Sequence, residues 1–501
     1  MCRPLPPRSL LLLAPLAALA CATATVHEKP WIEVRTRHFE IASCMSEAAT
    51  LELARDLELF RSVVDRLTTG GDLDAGVPTR IYAFDSLGSY RDFGPPNLAG
   101  YFSPTMRGNV VVLREAWRMD PTQVIQHEYV HFVLRNRTAH NYPIWFDEGL
   151  AELLSTVNLN GEFVTLGQMP KHHAPAIRFL RWLPLRHVME AQSYANFHGD
   201  DIHMFYAQSW ALTHYLHYGR ENEERFSMQF QHYLALLDEG ASQEDAVEKA
   251  FGVPIRTLGR ALIAYVENGR FRAFRIPKHN FATESQPSLR PLRRDEVASE
   301  LGWIALSGNP VRAQRYFEAA IAANPEYARA HAGLGDAYKF QKRWDEARPH
   351  YERALALAPD DALNQLEYAE YLHERAKAEK DPEERARLVR QARRHYVRSQ
   401  KLDPDLPETY AMYGASFLVE GEDPERGLDT LEHARAMLRS NLDIQLMLAQ
   451  LYVKTGRRAE AQDLLANVVT WAHGGDLADE ANTLLAELNG PRGENPTDRR
   501  D

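Results

Sequence analysis

The sequence HEYVH, from His127 to His131, and the sequence WFDEGLAE, from Trp145 to Glu152, decide how this chain is interpreted. Four residues of α-helix turn the chain by about 400°, so His127 and His131 lie on the same face of a helix. Two imidazoles at that spacing can reach one tetrahedral zinc ion, with Glu128 beside them. The spacing therefore predicts a zinc site carried by a helix.

A catalytic zinc site needs a third protein ligand, and the second segment supplies a candidate. Glu148 follows His131 by enough residues for the first helix to end, the chain to turn and a second helix to return. Three protein ligands leave the fourth position open, whereas structural zinc sites are usually closed and rich in cysteine. Glu152 lies one helical turn after Glu148, so its carboxylate can contact a ligand imidazole and fix the orientation of the ring.

These two segments resemble the gluzincin metallopeptidases, and they match most closely the peptidase-MA-like branch found in bacterial proteins. The resemblance implies that His127, His131 and Glu148 bind one Zn²⁺ ion per chain. It also implies that Glu128 is the general base of a peptidase and that the fold is zincin-like.

The group that stabilises the developing oxyanion has three candidates. The segment FYAQSWALTHYLHYG, residues 205–219, resembles the helix that follows the active site in this branch, and the resemblance gives Tyr206 this role. His203 and His214 lie nearby in the sequence and are alternatives. Four further histidines have no ligand spacing to the motif, and we expect them in loops or in the core. They are His172, His173, His187 and His198.

The stretch before the zinc helix bears on the type of peptidase. Gluzincin aminopeptidases carry an acidic motif there, which binds the free amino terminus of the substrate. The corresponding stretch here, GYFSPTMRGNVVVL from Gly100 to Leu113, contains no carboxylate. It is typical of a strand hairpin with its turn at RGN, and an edge strand can pair with an extended peptide. These features favour an endopeptidase.

The amino terminus is typical of an export signal. Two arginines precede an apolar run from Ser9 to Ala20, which is too short to span a bilayer as a helix. The small residues before Cys21 resemble a bacterial lipoprotein signal, in which this cysteine is lipidated. The resemblance implies that residues 1–21 are a signal peptide with a lipobox, and that the protein is a membrane-anchored lipoprotein of the cell envelope facing the periplasm. Ordinary cleavage without lipid is the alternative.

Composition excludes some classes of protein. The 501 residues carry a formal net charge of −11 and contain no basic patch or nucleic-acid motif, so we expect no nucleic-acid partner. Of the three cysteines, only Cys44 would stay unmodified in a mature lipoprotein, which leaves no internal disulfide.

Hydrophobic patterns divide the chain into two structured parts. In residues 22–270, WIEVRTRHFEIAS alternates like a strand, Ser46 to Leu67 follows as an amphipathic helix, and short strands precede the zinc helix. The later patterns are chiefly helical, so we predict an α+β catalytic domain with a small sheet first and helices after. A charged, proline-punctuated stretch at residues 271–292 predicts a linker, and residues 491–501 a disordered tail.

Residues 293–490 contain an internal repeat with a period of 34 residues (347 − 313). Its marker residues are Ala313, Phe317, Ala320 and Pro325, followed by Ala347, Tyr351, Ala354 and Pro359. The pattern resembles a tetratricopeptide (TPR) array of about five helical hairpins, which is an all-α solenoid. Each hairpin buries its apolar side against its neighbour, and the stack leaves a concave surface that usually binds a peptide or a protein partner.

The sequence therefore predicts a zinc endopeptidase that acts on peptides or on unfolded envelope proteins, with the array recruiting substrate or partner. The alternative is a non-catalytic envelope scaffold, in which the array is the functional part and the peptidase-like domain is inert. In a further alternative, the array only stabilises or spaces the peptidase.

Overall fold

The computed structural model describes residues 25–68, 77–115, 122–137, 142–219, 223–281, 286–472 and 475–489. The predicted signal peptide, the lipidation site at Cys21 and the predicted tail at 491–501 lie outside the described residues. No helix within these ranges has the length and apolar character needed to cross a membrane.

The first part of the chain contains both strands and helices, and the rest is helical. The strands are β1 (Trp31–Arg35), β2 (Phe39–Ser43), β3 (Thr79–Phe84), β4 (Gly100–Thr105), β5 (Gly108–Arg114), β6 (Phe163–Leu166), β7 (Phe274–Pro277) and β8 (Ser288–Leu292). The helices of the first part are α1 (Glu47–Thr68), α2 (Leu87–Tyr90), α3 (Thr122–Arg137), α4 (Ile144–Ser155), α5 (His173–Phe179), α6 (Leu185–Glu190), α7 (Asp200–His214), α8 (Glu223–Asp238), α9 (Gln243–Phe251) and α10 (Ile255–Asn268). A π-helical turn, Tyr215–Gly219, continues α7.

The predicted small sheet is present and is larger than expected, with six strands in the order β4-β5-β3-β2-β1-β8. β2, β3 and β5 are parallel to one another, and the remaining pairs are antiparallel. The stretch predicted as one strand forms both β1 and β2, because the chain reverses where the Thr36 N–H donates to the Phe39 carbonyl over 2.9 Å. The predicted helix at 46–67 is confirmed as α1, and Ser46 accepts a hydrogen bond from the Ala49 N–H at its start.

The prediction of a linker at residues 271–292 is wrong, because this segment supplies two strands. β7 pairs with β6, and β8 pairs with β1 at the edge of the main sheet. β8 has the sequence SLRPL, and its largely exposed side chains show no apolar periodicity. Pro291 lies opposite Ile32, and an edge strand tolerates a proline because its outer side needs no hydrogen bond.

The two faces of the sheet are buried against different parts of the molecule. On one face, Ile81 and Val111 belong to the core that contains α1, α3 and α4. On the other face, Tyr82 and Phe84 belong to a core shared with Phe317 and other residues of the repeat region. Because side chains alternate along a strand, β3 serves both cores. The sheet therefore joins the two parts of the chain.

The repeat region consists of five helical hairpins and a last helix. The helices are α11 (Arg294–Leu306), α12 (Pro310–Ala323), α13 (Ala328–Phe340), α14 (Trp344–Leu357), α15 (Ala362–Ala378), α16 (Pro382–Leu402), α17 (Pro407–Ala415), α18 (Leu428–Met437), α19 (Leu442–Lys454), α20 (Arg458–Trp471) and α21 (Asp476–Asn489). The Phe317 ring fills the space between helices, where a Cβ on Gly333 would approach it to 2.1 Å. Small residues thus let the helices approach around a buried aromatic ring, as the repeat pattern predicts.

Candidate metal centre and array surface

Three side chains from α3 and α4 converge on one point. The Nε2 atoms of His127 and His131 are 2.9 Å apart, and both face the Oε2 atom of Glu148. That oxygen is 3.2 Å from His127 Nε2 and 3.5 Å from His131 Nε2. The sequence predicts these three residues as one ligand set, and the structure brings their donor atoms together.

The spacing of these donor atoms fits a tetrahedral zinc ion. With bonds of about 2.0–2.2 Å, two ligands of a tetrahedral ion lie roughly 3.3 Å apart. Glu148 is fully buried, and its Oε2 atom has no hydrogen-bond partner among the described residues, an arrangement that is costly unless a cation satisfies it. Burial alone would raise the pKa of Glu148, but His131 and His127 hold it well below its usual range. The carboxylate is therefore charged and available to a metal.

Asp147, which sequence analysis did not single out, orients His131 from the side opposite the donor atoms. Its Oδ2 atom lies 2.8 Å from His131 Nδ1 and 2.5 Å from Arg135 Nη2, and its side chain is almost fully buried. A carboxylate on the second ring nitrogen fixes the tautomer of a metal-binding histidine. Asp147 thus has the role that the sequence predicts for Glu152.

Glu152 contacts three histidines rather than one. Its Oε1 atom is 3.6 Å from His127 Nδ1, so the predicted contact with a ligand imidazole is long. Its Oε2 atom is 3.1 Å from His173 Nε2 and 3.3 Å from His172 Nε2. As expected for loop and packing residues, His172 lies in the turn before α5 and His173 is buried at the start of that helix, and both rings also face a buried carboxylate next to the candidate metal centre.

Two tyrosines lie beside Glu148. The Tyr194 hydroxyl donates a short hydrogen bond to Glu148 Oε1, and its ring stacks on Tyr206 with centroids 6.3 Å apart. Burial, together with the charges of Glu148, Glu152 and Glu128, raises the pKa of Tyr206. Tyr206 is therefore a protonated donor near these carboxylates. Sequence analysis missed Tyr194, which belongs to a short 3₁₀ turn without periodicity.

The two histidine alternatives to Tyr206 differ in their surroundings. His214 is fully buried, and its ring nitrogens contact the carbonyls of Gly167 and Arg272 and the Tyr265 hydroxyl. These contacts give His214 a structural role, which contradicts its candidacy as an oxyanion donor. His203 is exposed on the first turn of α7.

Gly149 allows α7 to approach α4 closely. A Cβ at this position would lie 2.2 Å from Thr213 Oγ1 and 2.3 Å from the Ser209 carbonyl oxygen, so no larger residue fits without backbone movement. This contact explains the glycine that follows Glu148 in the sequence. It holds the helix carrying Tyr206 against the helix carrying Glu148.

The last hairpin of the repeat region packs against the candidate metal centre. The Arg135 guanidinium lies over the Trp471 ring at 3.9 Å, and the Tyr194 ring meets the same indole edge-on at 6.3 Å. Nearby, the Asn136 side chain and Ser440 exchange two hydrogen bonds of 2.6 and 3.0 Å. The array therefore contacts residues that themselves contact Asp147 and Glu148.

The β4–β5 hairpin inserts Arg107 between the first helices of successive repeats, which form the inner face of the array. The Arg107 guanidinium contacts Glu408 and, at 3.1 Å, Glu367, and it lies 5.2 Å from the Trp303 ring. Arg329 reaches Glu367 from the other side at 2.9 Å. The surface predicted to bind a protein partner thus already holds an arginine of the same chain.

This buried cluster contains more acidic than basic groups. We define the inner-face cluster as four carboxylates and three cations. Its members are Asp336, Glu367, Glu370, Glu408, Arg107, Arg329 and Lys339. Burial raises the pKa of Glu367 to about 7 and that of Glu370 to about 8, although the neighbouring cations oppose this change. Because the cluster has one more carboxylate than it has cations, one of its carboxyl groups tends to keep a proton.

The folded protein should lose stability as this proton leaves. Because the folded-state pKa of Glu370 is raised, its stabilising contribution is complete below about pH 4.5 and declines as the pH rises through about 8. Raising the pH from 5 to 8.5 should therefore increase the stability of Glu370→Gln relative to the parent by ~4 kcal/mol. Urea unfolding at both pH values measures this difference. The control is Glu374→Gln on the same helix, whose side chain is 40% exposed. Parallel pH profiles for the parent and Glu370→Gln would contradict the prediction.

Comparison with known proteins identifies the repeats. The tetratricopeptide repeat family model matches residues 305–368 and 418–488. A comparison with curated proteins gives no match. Among solved structures, a thermophilic TPR protein of Thermus thermophilus is 21% identical, with 38% of this chain and 98% of that chain covered and a TM-score of 0.35. The Pseudomonas aeruginosa protein pilF is 19% identical, with 39% and 91% covered and a TM-score of 0.31. A tetratricopeptide repeat protein of Parabacteroides merdae is 13% identical, with 53% and 98% covered and a TM-score of 0.31.

The family match and the helical hairpins agree on the second half of the chain. It is a tetratricopeptide array, the kind of helical solenoid that serves as a protein-interaction scaffold.

Proposed function

We propose that this protein is a zinc-dependent peptidase whose metal is held by His127, His131 and Glu148. The observation that carries the proposal is the convergence of three donor atoms at mutual distances of 2.9, 3.2 and 3.5 Å. Two imidazoles and one carboxylate that leave a fourth position open are a ligand set of catalytic zinc. The resemblance of the two sequence segments to gluzincin peptidases supports the same function.

The chain's own residues supply the remaining parts of a hydrolytic site. A zinc ion bound there would activate a water molecule and polarise a peptide carbonyl. Glu128, which follows the first ligand on α3, would accept a proton from the attacking water and deliver it to the leaving amine. Tyr206 would donate a hydrogen bond to the negative oxygen that develops on the substrate. Tyr194 would hold Glu148 in place through its hydrogen bond to Oε1.

The sheet edge suggests how a substrate would bind. Among the described strands, β4 pairs with β5 alone and is the outermost strand at this end of the sheet. An extended peptide could add to this edge through main-chain hydrogen bonds, which favours unfolded chains over folded proteins. We infer that the substrate is a peptide or an unfolded protein and that cleavage is internal. With lipid on Cys21, the enzyme would act at the membrane surface of the bacterial envelope, facing the periplasm.

A non-catalytic interaction scaffold is the second candidate function. It is favoured by the repeat match, which covers residues of the array and none of the peptidase-like part. In this view the peptidase-like domain supports the array and does not turn over a substrate.

Substitution of Glu128 separates the two candidates. We expect Glu128→Gln to retain zinc, because this residue is not a proposed ligand. Its peptidase rate should fall about 10²–10⁴-fold. The rate is measured on a fluorogenic unfolded protein such as labelled casein, and bound zinc by elemental mass spectrometry. Glu162→Gln, at an exposed position, is the matched control and should behave like the parent.

Two results would contradict the peptidase proposal. One is a well-folded parent that binds no zinc even after metal is added. The other is a Glu128→Gln variant that cleaves the substrate as fast as the parent. Survival of the cellular function in Glu128→Gln would favour the scaffold.

A further inference from the structure

We propose that Glu152, His172 and His173 form a second site for a divalent transition-metal ion, beside the one proposed above. Three potential ligand atoms, one from each side chain, lie within 4.8 Å of one another. Glu152 Oε2 is 3.1 Å from His173 Nε2 and 3.3 Å from His172 Nε2. Donor atoms of a tetrahedral site are separated by roughly the same distance.

Two buried atoms of this cluster contact each other without a well-aligned hydrogen bond. Within the part of the chain that the structure describes, the buried atoms Glu152 Oε2 and His173 Nε2 make no hydrogen bond of acceptable geometry, although they are close together. The two atoms are 3.1 Å apart, which is close enough for one ion to bind both at a common point between them. Glu148 Oε2 at the first site has the same property. A cation at the common point would satisfy both buried atoms.

The cluster has a solvent-exposed side through which an ion can enter. The side chains of Glu152 and His173 are 9% and 3% exposed, whereas that of His172 is 56% exposed. His172 precedes α5, and His173 is the first residue of that helix, so the backbone fixes both rings next to each other. Their centroids are 4.2 Å apart.

The ligand types select the class of metal. Two imidazoles and one carboxylate suit Zn²⁺ and similar first-row ions, whereas Mg²⁺ and Ca²⁺ prefer sites made of oxygen atoms. The carboxylate also links the two sites, since Glu152 Oε1 faces His127 Nδ1 at 3.6 Å. An ion on Oε2 would hold Glu152 in the orientation that contacts the first-site ligand.

Zinc stoichiometry of four full-length chains tests the proposal. The chains are the parent, His172→Ala, Glu148→Ala and the matched control His198→Ala, which changes another exposed histidine. Bound zinc is measured by competition with a chromophoric chelator and by elemental mass spectrometry. We expect two zinc ions in the parent and in His198→Ala, and one in each of the other variants. The affinity of the second ion should fall at least about tenfold in His172→Ala. Because the His172 side chain is exposed, this variant should fold like the parent.

The other outcomes separate this inference from the proposed function. One zinc ion in the parent that is lost in Glu148→Ala and kept in His172→Ala would overturn the second site and support the first. One ion that is lost in His172→Ala and kept in Glu148→Ala would overturn the first site and support the second. A folded parent without zinc would overturn both.

Discussion

A Glu148→Ala chain should not bind the zinc ion proposed for the first site, and it should keep its fold. Glu148 supplies the only carboxylate of the first ligand set, and its Oε2 atom faces both imidazoles. Loss of a group that only supports a ligand typically costs about 10–100-fold in metal affinity, so loss of a ligand should cost more. The affinity is measured by chelator competition in a His172→Ala background, which leaves the first site as the only proposed zinc site.

Two further variants make this result interpretable. Glu148→Gln retains the volume of the side chain, so a loss of zinc in this variant cannot result from a cavity. We expect it to lose zinc as well. Tyr194→Phe removes the hydrogen bond to Glu148 Oε1 and keeps the ring, so its zinc affinity should fall by only about 10–100-fold. If Glu148→Ala and Glu148→Gln bind zinc as tightly as the parent, the ligand assignment is wrong.

Replacement of Asp147 by alanine should destabilise the whole protein. Asp147 is almost fully buried between His131 Nδ1 and the Arg135 guanidinium, at 2.8 and 2.5 Å. Removal of one partner from a buried charged cluster leaves the others uncompensated and costs about 3–5 kcal/mol. Because Arg135 also lies over Trp471, the effect should reach the last hairpin of the array.

Urea unfolding of the metal-free protein measures this cost. Asp463→Ala, at an exposed position of α20, is the control and should change the free energy of unfolding by less than about 0.5 kcal/mol. Asp147→Ala should also lower the affinity for zinc about 10–100-fold, because His131 loses its orienting partner. Equal stability of the parent and Asp147→Ala would contradict the importance given to this cluster.

The parts of the site that sequence analysis predicts are those set by local geometry. His127 and His131 are one helical turn apart, and Glu148 follows on the next helix, so their spacing indicates a ligand set. Asp147 was missed although it adjoins Glu148, because its contact with His131 depends on how α3 and α4 cross. Tyr194 was missed because it lies 46 residues from Glu148 in a turn without periodicity.

The same distinction applies to the fold. The repeat helices follow from a regular pattern of small and aromatic residues, and the family match agrees with it. No sequence pattern predicts β8, because this strand is short, contains a proline and lies at the edge of the sheet. The insertion of Arg107 into the inner face could not be predicted from sequence either, because its partners Glu367 and Glu408 lie 260 and 301 residues away.

The place of β8 in the sheet has a consequence for how this protein is made. Glu33 on β1 and Arg290 beside it on β8 are 257 residues apart, so the main sheet is incomplete until residues 31–292 have left the ribosome. Until then β1 presents an open edge, and Tyr82 and Phe84 lack the repeat residues that cover them. Unpaired edges and exposed apolar faces are the features that lead to aggregation. Newly synthesised chains should therefore depend on a chaperone until the repeat residues of this core, which extend to Ala337, have emerged, and a fragment ending at residue 270 should be poorly soluble.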